Sequence, residues 1–142
     1  KGEDDGNIAA LAAADGVVCL GVAGAFYTSA GIPIAAGYLA ASTAGLVDVI
    51  DDPYVLFSVQ EDGAGTSNYD AITGVFETSD HVAGTGSTTT GMSGHTLNSD
   101  STDAQLKVVD LFEVEGNAWA DTYTELVVVI NEHLYKAAVA AI

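Results

Sequence analysis

The chain has 142 residues, of which 20 are Asp or Glu, three are Lys and none is Arg, for a formal net charge of −17. With so few cations to neutralise phosphates or anionic lipids, binding to nucleic acid or to a membrane surface is not expected. Hydrophobic residues make up 49% of the sequence, enough for one folded domain with a real core rather than an acidic disordered chain.

Residues 1–15 read as an extended or short-helical N-terminal segment. Lys1 to Asn7 is polar and acidic, and Ile8 to Asp15, IAALAAAD, has helix-forming composition over only about two turns. Lys1 alone is not the basic region of a signal peptide, and a start at Lys rather than Met leads us to expect further residues in front.

Residues 16–136 read as a β domain. Val17 to Tyr27 is expected to be the first strand, weakened by Gly21 and Gly24, with Thr28 to Gly31 as a turn and Ile32 to Ala40 as the return strand of a hairpin. Gly16 to Val47 contains no charged residue, yet its six glycines, Pro33 and the turn cut it into strand-length pieces. No basic flank orients it as a membrane span. Cys19, the only cysteine, lies in VVCLGV and reads as a buried small hydrophobe.

Val47 to Glu61, VDVIDDPYVLFSVQE, is the corner that the other elements are expected to pack against. Asp51 to Tyr54 forms its turn, where Pro53 presets φ and restricts Asp52. Val55 to Gln60 then alternates, with Val55, Phe57 and Val59 directed to a core. Glu61 to Gly63 reads as a second turn, and Tyr69 to Glu77 alternates weakly.

Thr78 to Asp103 is long, rich in Gly, Ser and Thr, and contains GTGSTTTGMSG. Such a segment is either a functional loop or a stack of short irregular strands. Gln105 to Glu113 is expected as a strand with Leu106, Val108 and Phe112 on one face and Val109 and Leu111 on the other. Glu115 to Asn117 is a turn, and Trp119 an anchor. Glu125 to Ile130, ELVVVI, is apolar on both faces and β-branched, as a central strand would be. Residues 137–142 form an apolar tail. The expected architecture is therefore all-β: a single compact antiparallel β-sandwich or barrel of about seven strands with long Gly/Ser/Thr-rich loops.

The core is expected to hold Phe57, Val55, Val59, Val108, Leu126, Val128 and Ile130. The aromatic residues Phe26, Tyr27, Tyr54, Phe57, Phe112 and Trp119 are expected there rather than on a sugar-binding platform. No catalytic set emerges. His81, His95 and His133 lack metal-ligand spacing and read as surface or hydrogen-bonded histidines. Ser93 does not sit in a nucleophile elbow, and the stretch near Gly84 lacks the Lys of a phosphate loop. Asp51 and Asp52, or Glu3 to Asp5, are weak Ca²⁺ candidates, more simply read as turn residues and solvated charge. No enzymatic activity, cofactor or tightly bound transition metal is expected.

Five stretches carry a likeness: LGVAGAFYTSAGIPIAAGYLAAST (20–43), VIDDPYVLFSVQEDG (49–63), GTGSTTTGMSG (84–94), LKVVDLFEVEGNAW (106–119) and VVVINEHLY (127–135). In this order they resemble the capsid decoration, or cement, proteins of marine tailed bacteriophages. The resemblance implies a structural virion protein on the outer surface of the capsid, bridging subunits of the major capsid protein and associating with copies of itself as a dimer or trimer. Contact candidates are then Ile8 and Leu11 in the N-terminal segment, Thr88, Thr89, Thr90 and Met92 in the Gly/Ser/Thr-rich stretch, and Val139 and Ile142 in the tail. The alternative reading is a secreted acidic β-rich module for carbohydrate or Ca²⁺-assisted adhesion; an acid-pair hydrolase has almost no support.

Overall fold

The computed structural model describes residues 17–63, 74–98 and 105–136. Among these there are eight strands and no α-helix: β1 (Val22–Thr28), β2 (Gly45–Ile50), β3 (Leu56–Gln60), β4 (Thr78–Ser79), β5 (His81–Val82), β6 (Thr96–Leu97), β7 (Leu106–Leu111) and β8 (Glu125–Ile130). They form an antiparallel sheet in the order β3-β8-β7-β4 and two antiparallel pairs, β1-β2 and β5-β6. The arrangement is all-β and sandwich-like, without a closed barrel.

The four-stranded sheet is built on β8. Its ELVVVI sequence takes the central place, with Leu126, Val128 and Ile130 buried and the alternate residues half-buried. On β3, Phe57 lies opposite Val128 and Val59 opposite Leu126, so the alternation in the sequence becomes one row of core side chains. Phe57 and Val59 are half-buried against a cluster of Leu97, Val108, Leu126 and Val128. Leu97, which closes that cluster, comes from the short strand β6.

β7 departs from the simple alternation. Its register shifts between Val108 and Asp110, so Val108 faces Val128 while Leu111 faces Leu126. The extra residue brings Leu106, Val108 and Leu111 to the core side together. Phe112, expected on that side, is 37% exposed, and Leu111, expected opposite, packs on the core. Of the other aromatic side chains expected inside, Phe26, Tyr27 and Trp119 are half-buried, whereas Tyr54 is 76% exposed beside the turn.

The expected hairpin over 17–40 does not form as such. The Thr28–Gly31 turn is present, with Gly31 N–H donating to Thr28 O at 2.9 Å and Gly31 at φ 78°. Beyond it the return chain makes one bridge, Tyr27 to Pro33, on one edge of β1, and the other edge of β1 pairs along its length with β2. The bridge is held by Thr28 N–H donating to Ile32 O at 2.9 Å and Ile34 N–H to Phe26 O at 2.8 Å, and the chain bends away at Gly37, whose φ is 71°. Residues before β1 dock elsewhere: Cys19 N–H donates to Glu132 O at 2.7 Å, and Leu134 N–H donates to Cys19 O at 2.9 Å. Cys19 is buried at 6% exposure, as its apolar surroundings imply.

The 47–61 corner is real, and it joins two sheets: β2 leaves the β1-β2 pair and β3 enters the four-stranded sheet. Asp52 makes the turn, its Oδ1 accepting from Tyr54 N–H at 2.9 Å and its carbonyl from Val55 N–H at 3.3 Å. At the far end of β3, Glu61 is buried rather than part of an open turn. Its Oε1 accepts from Tyr123 N–H at 3.0 Å and its own N–H donates to Thr124 O at 2.9 Å.

Candidate functional site

A cleft of about 840 Å³ opens among the described residues. One wall is the β1-β2 pair, through Val22, Phe26 and Val47; the floor is the 37–39 segment, with Tyr38 and Leu39; the other wall is the 84–95 hairpin, with Met92 and His95. No Asp, Glu, Lys or Arg lines it, in a chain whose charge is otherwise −17.

The hairpin explains the composition of GTGSTTTGMSG. Gly84 and Gly94 lie backbone to backbone: a Cβ on Gly84 would run into the carbonyl of Gly94, and one on Gly94 into that of Thr85. Gly91, at φ 72°, rests against Ala36 O and the Cα of Gly37, which fixes the hairpin tip on the floor of the cleft. The hydroxyls tie down the rest. Ser87 N–H donates to Met92 O at 2.9 Å, Gly91 N–H to Ser87 O at 2.8 Å, Thr90 N–H to Ser87 Oγ at 3.2 Å and His95 N–H to Ser93 Oγ at 3.1 Å. The expected stack of short irregular strands is thus β4, β5 and β6, with a turn-rich tip between β5 and β6.

A pair of histidines holds the base of the hairpin. The His81 and His95 rings are parallel within 2° at a centroid distance of 5.0 Å. His81 is 6% exposed, and its Nδ1 lies 2.9 Å from Gln105 Oε1. The Gln105 amide nitrogen donates to Val17 O at 3.5 Å, which leaves Oε1 as the acceptor and makes His81 Nδ1 the N–H. Burial, and secondarily the charge of His81, lowers the His95 pKa from 6.5. His133, also buried, accepts at Nδ1 from Tyr135 N–H at 3.1 Å, so the three histidines do not converge.

Of the sequence-derived contact candidates, Thr88, Thr89 and Thr90 are exposed on the hairpin tip, and Met92, 69% exposed, lines the cleft beside Thr88. Ile8, Leu11, Val139 and Ile142 lie outside the described residues. Asp51 and Asp52 are exposed turn residues, and no group of three His, Cys, Asp or Glu side chains is arranged to hold a metal among the described residues. No helix among them is long and apolar enough to cross a membrane. The opposite wall and floor of the cleft were not singled out from sequence, although the charge-free run from Gly16 to Val47 supplies them.

Both described lysines are engaged. Lys136 Nζ donates to Pro53 O at 3.1 Å and sits 5.7 Å from the Tyr54 ring, and burial lowers its pKa from 10.5. Lys107 Nζ lies 5.9 Å from the Phe76 ring. In comparison with known proteins, no family model, no curated protein and no solved structure matches the chain.

Proposed function

We propose that this protein is a structural virion protein that decorates and stabilises the outer surface of a tailed-phage capsid by bridging subunits of the major capsid protein. The observation that carries the reading is the contrast between the charge of the chain and the chemistry of the cleft. A protein of net charge −17 exposes Ile32, Leu46, Leu56 and Met92, and keeps open a cleft with no acidic or basic side chain in its lining, which Met92 joins. Apolar surface of this kind is stabilised by a partner that covers it. The family resemblance given by the five sequence stretches points to which partner. Weak contacts repeated around the symmetry axes of a shell give strong attachment in total, and the shell brings mutually repelling copies together as dimers or trimers.

Attachment through apolar and backbone contacts makes a distinct salt prediction. At ~1 M salt the Debye length is about 3 Å, so exposed charge pairs are screened while buried apolar area is not. The test is co-sedimentation with purified particles across a salt series, using the full chain and chains lacking residues 1–14 or 137–142. The expected result is retention at ~1 M salt and release on either deletion, with the remaining chain still folded. Complete release by salt with no effect of either deletion refutes attachment by those segments and leaves electrostatic docking. Protein that never sediments with particles overturns the virion role, and chelator-sensitive adhesion in its place supports the secreted module.

A further inference from the structure

We propose that the loop between β7 and β8, residues 112–124, is a preformed docking element that seats Phe112, Val114 and Tyr123 in apolar pockets ringed by Lys or Arg on the partner protein. The proposal rests on the reading of the protein as an attachment protein and names a surface by which it attaches.

The loop caps one end of the four-stranded sheet, where β7 and β3 finish and β8 begins. On the β7 side, Phe112 N–H donates to Glu125 O at 3.0 Å. On the β3 side, Tyr123 N–H donates at 3.0 Å to Oε1 of the buried Glu61. Phe112 and Tyr123 therefore flank the first residue of β8, where neighbouring strands lie about 4.8 Å apart. Phe112, Val114 and Tyr123 are all exposed. Aromatic and apolar side chains gathered on one exposed loop are the kind of anchor that a partner covers.

The loop holds its shape without an occupant. Asn117 closes it: Nδ2 donates to Phe112 O at 2.7 Å and to Glu125 O at 2.8 Å, and Oδ1 accepts from Glu125 N–H at 2.9 Å. The buried Thr124 donates from Oγ1 to Asp121 O at 2.6 Å, and Trp119 packs against the core cluster. Ala120 and Tyr123 have φ of 70° and 65°, a left-handed conformation that persists in such residues where the surroundings enforce it. A loop fixed in this way loses little conformational freedom on binding. Charge selects the occupant. Glu113 and Glu115 alternate with Phe112 and Val114, Asp121 lies two residues from Tyr123, and all three carboxylates are exposed. Residues 108–132 include no Lys, Arg or His. The complementary surface has apolar pockets with a cationic rim, in which the anchors give residence and the rim gives the rate of encounter. Among its described residues the chain does not offer that rim to a second copy: Lys107 is buried, and Lys136 Nζ is bound to Pro53 O. The occupant is therefore a different protein.

The test is the kinetics of binding of the full chain to purified particles. Phe112→Ser, Val114→Ser and Tyr123→Asn each remove an anchor, Asn being tolerant of the left-handed conformation. Val114→Ser changes an exposed site outside the core and keeps the test open if either aromatic variant does not fold. Glu115→Lys reverses a rim charge, and Asp51→Lys makes the same change on the exposed turn that leads into the opposite end of β3. The anchor variants are expected to dissociate at least about ten-fold faster. Glu115→Lys is expected to associate about three-fold or more slowly at low salt, with the difference gone at ~1 M salt, and Asp51→Lys to associate as the unmodified chain does. Unchanged dissociation of the folded anchor variants overturns the proposal while leaving the virion reading intact. Faster association of Glu115→Lys, or equal slowing by Glu115→Lys and Asp51→Lys, overturns the cationic rim. Protein that does not bind particles at all overturns the functional reading, and this proposal with it.

Discussion

Single side chains in this fold do different work according to how deeply the sheet buries them. Leu126 is fully buried at the centre of the four-stranded sheet, whereas Phe57, one strand away, is only half-buried. A fully enclosed Phe truncated to Ala costs about 3–5 kcal/mol, and partial enclosure lowers that figure for Phe57. Leu126→Ala is expected to cost about 2–5 kcal/mol and Phe57→Ala about 2 kcal/mol, read from urea midpoints at constant slope. A negligible loss for Phe57→Ala would place the core on the other side of β3. Cys19 offers a second check at this scale. Burial raises its thiol pKa above 9.0, the larger effect, and Sγ donates to Gly21 O at 3.5 Å. Reaction with a disulfide reagent at pH 8 is expected to be slower in the native protein than in denaturant by on the order of ten-fold or more. Equal rates would mean that the 17–21 segment is open. Because the folded pKa is the higher one, this thiol favours the fold below about pH 9 and ceases to do so as pH rises through its folded value.

The 78–98 element, built from strands of two residues each, depends on contacts that long strands do not need. Its backbones meet through glycine, its turns are closed by Ser and Thr hydroxyls, and its base is closed by the His81–His95 stack. The stack makes the element sensitive to acid. Unfolded, His95 takes up a proton near pH 6.5; folded, burial and His81 hold its pKa lower, so the folded chain binds fewer protons in between. This contribution to stability is full above pH 6.5 and is lost as pH falls from there toward the depressed value. Amide exchange in 81–97 is accordingly expected to accelerate between pH 7.5 and 5.5, after correction for intrinsic rates, and His95→Gln is expected to flatten that dependence. An unchanged pH dependence in His95→Gln would assign the effect to another group. The same element supplies one wall of the cleft, so a loosened hairpin also loosens that wall.

At the scale of the whole molecule, net charge and exposed apolar surface act against each other. At neutral pH the charge of −17 holds copies apart although Ile32, Leu46 and Met92 are exposed. Near the sequence pI of about 4.1 that repulsion disappears and the apolar surface remains. Sedimentation velocity is expected to show dispersed protein at pH 7 and low salt and growing self-association as pH approaches 4.1. Dispersed protein throughout would show that the exposed apolar groups are too scattered to act as a surface, which would also weaken the case for a partner covering them.

The sequence alone determined the all-β class, the corner at 51–54, the central place of ELVVVI and the inward row of Val128, Leu126, Phe57 and Val59. These depend on local physics: a proline-set turn, period-two alternation and a β-branched apolar run all act over a few residues. The tertiary structure decided what depends on distant partners. The return chain bridges one edge of β1 at Tyr27 and Pro33 and then bends away at Gly37, and the other edge is taken by Gly45–Ile50, which is distant in sequence. Whether Leu111 or Phe112 faces the core depends on one inserted residue at Val109, which reverses every later position and leaves no local mark. The hairpin glycines read as a loop in sequence because their function, close backbone approach, is a property of the chain they touch. The cleft shared this fate: its uncharged lining was visible as a run without charge, and only the packing of the hairpin on residues 36–37 turned that run into a surface.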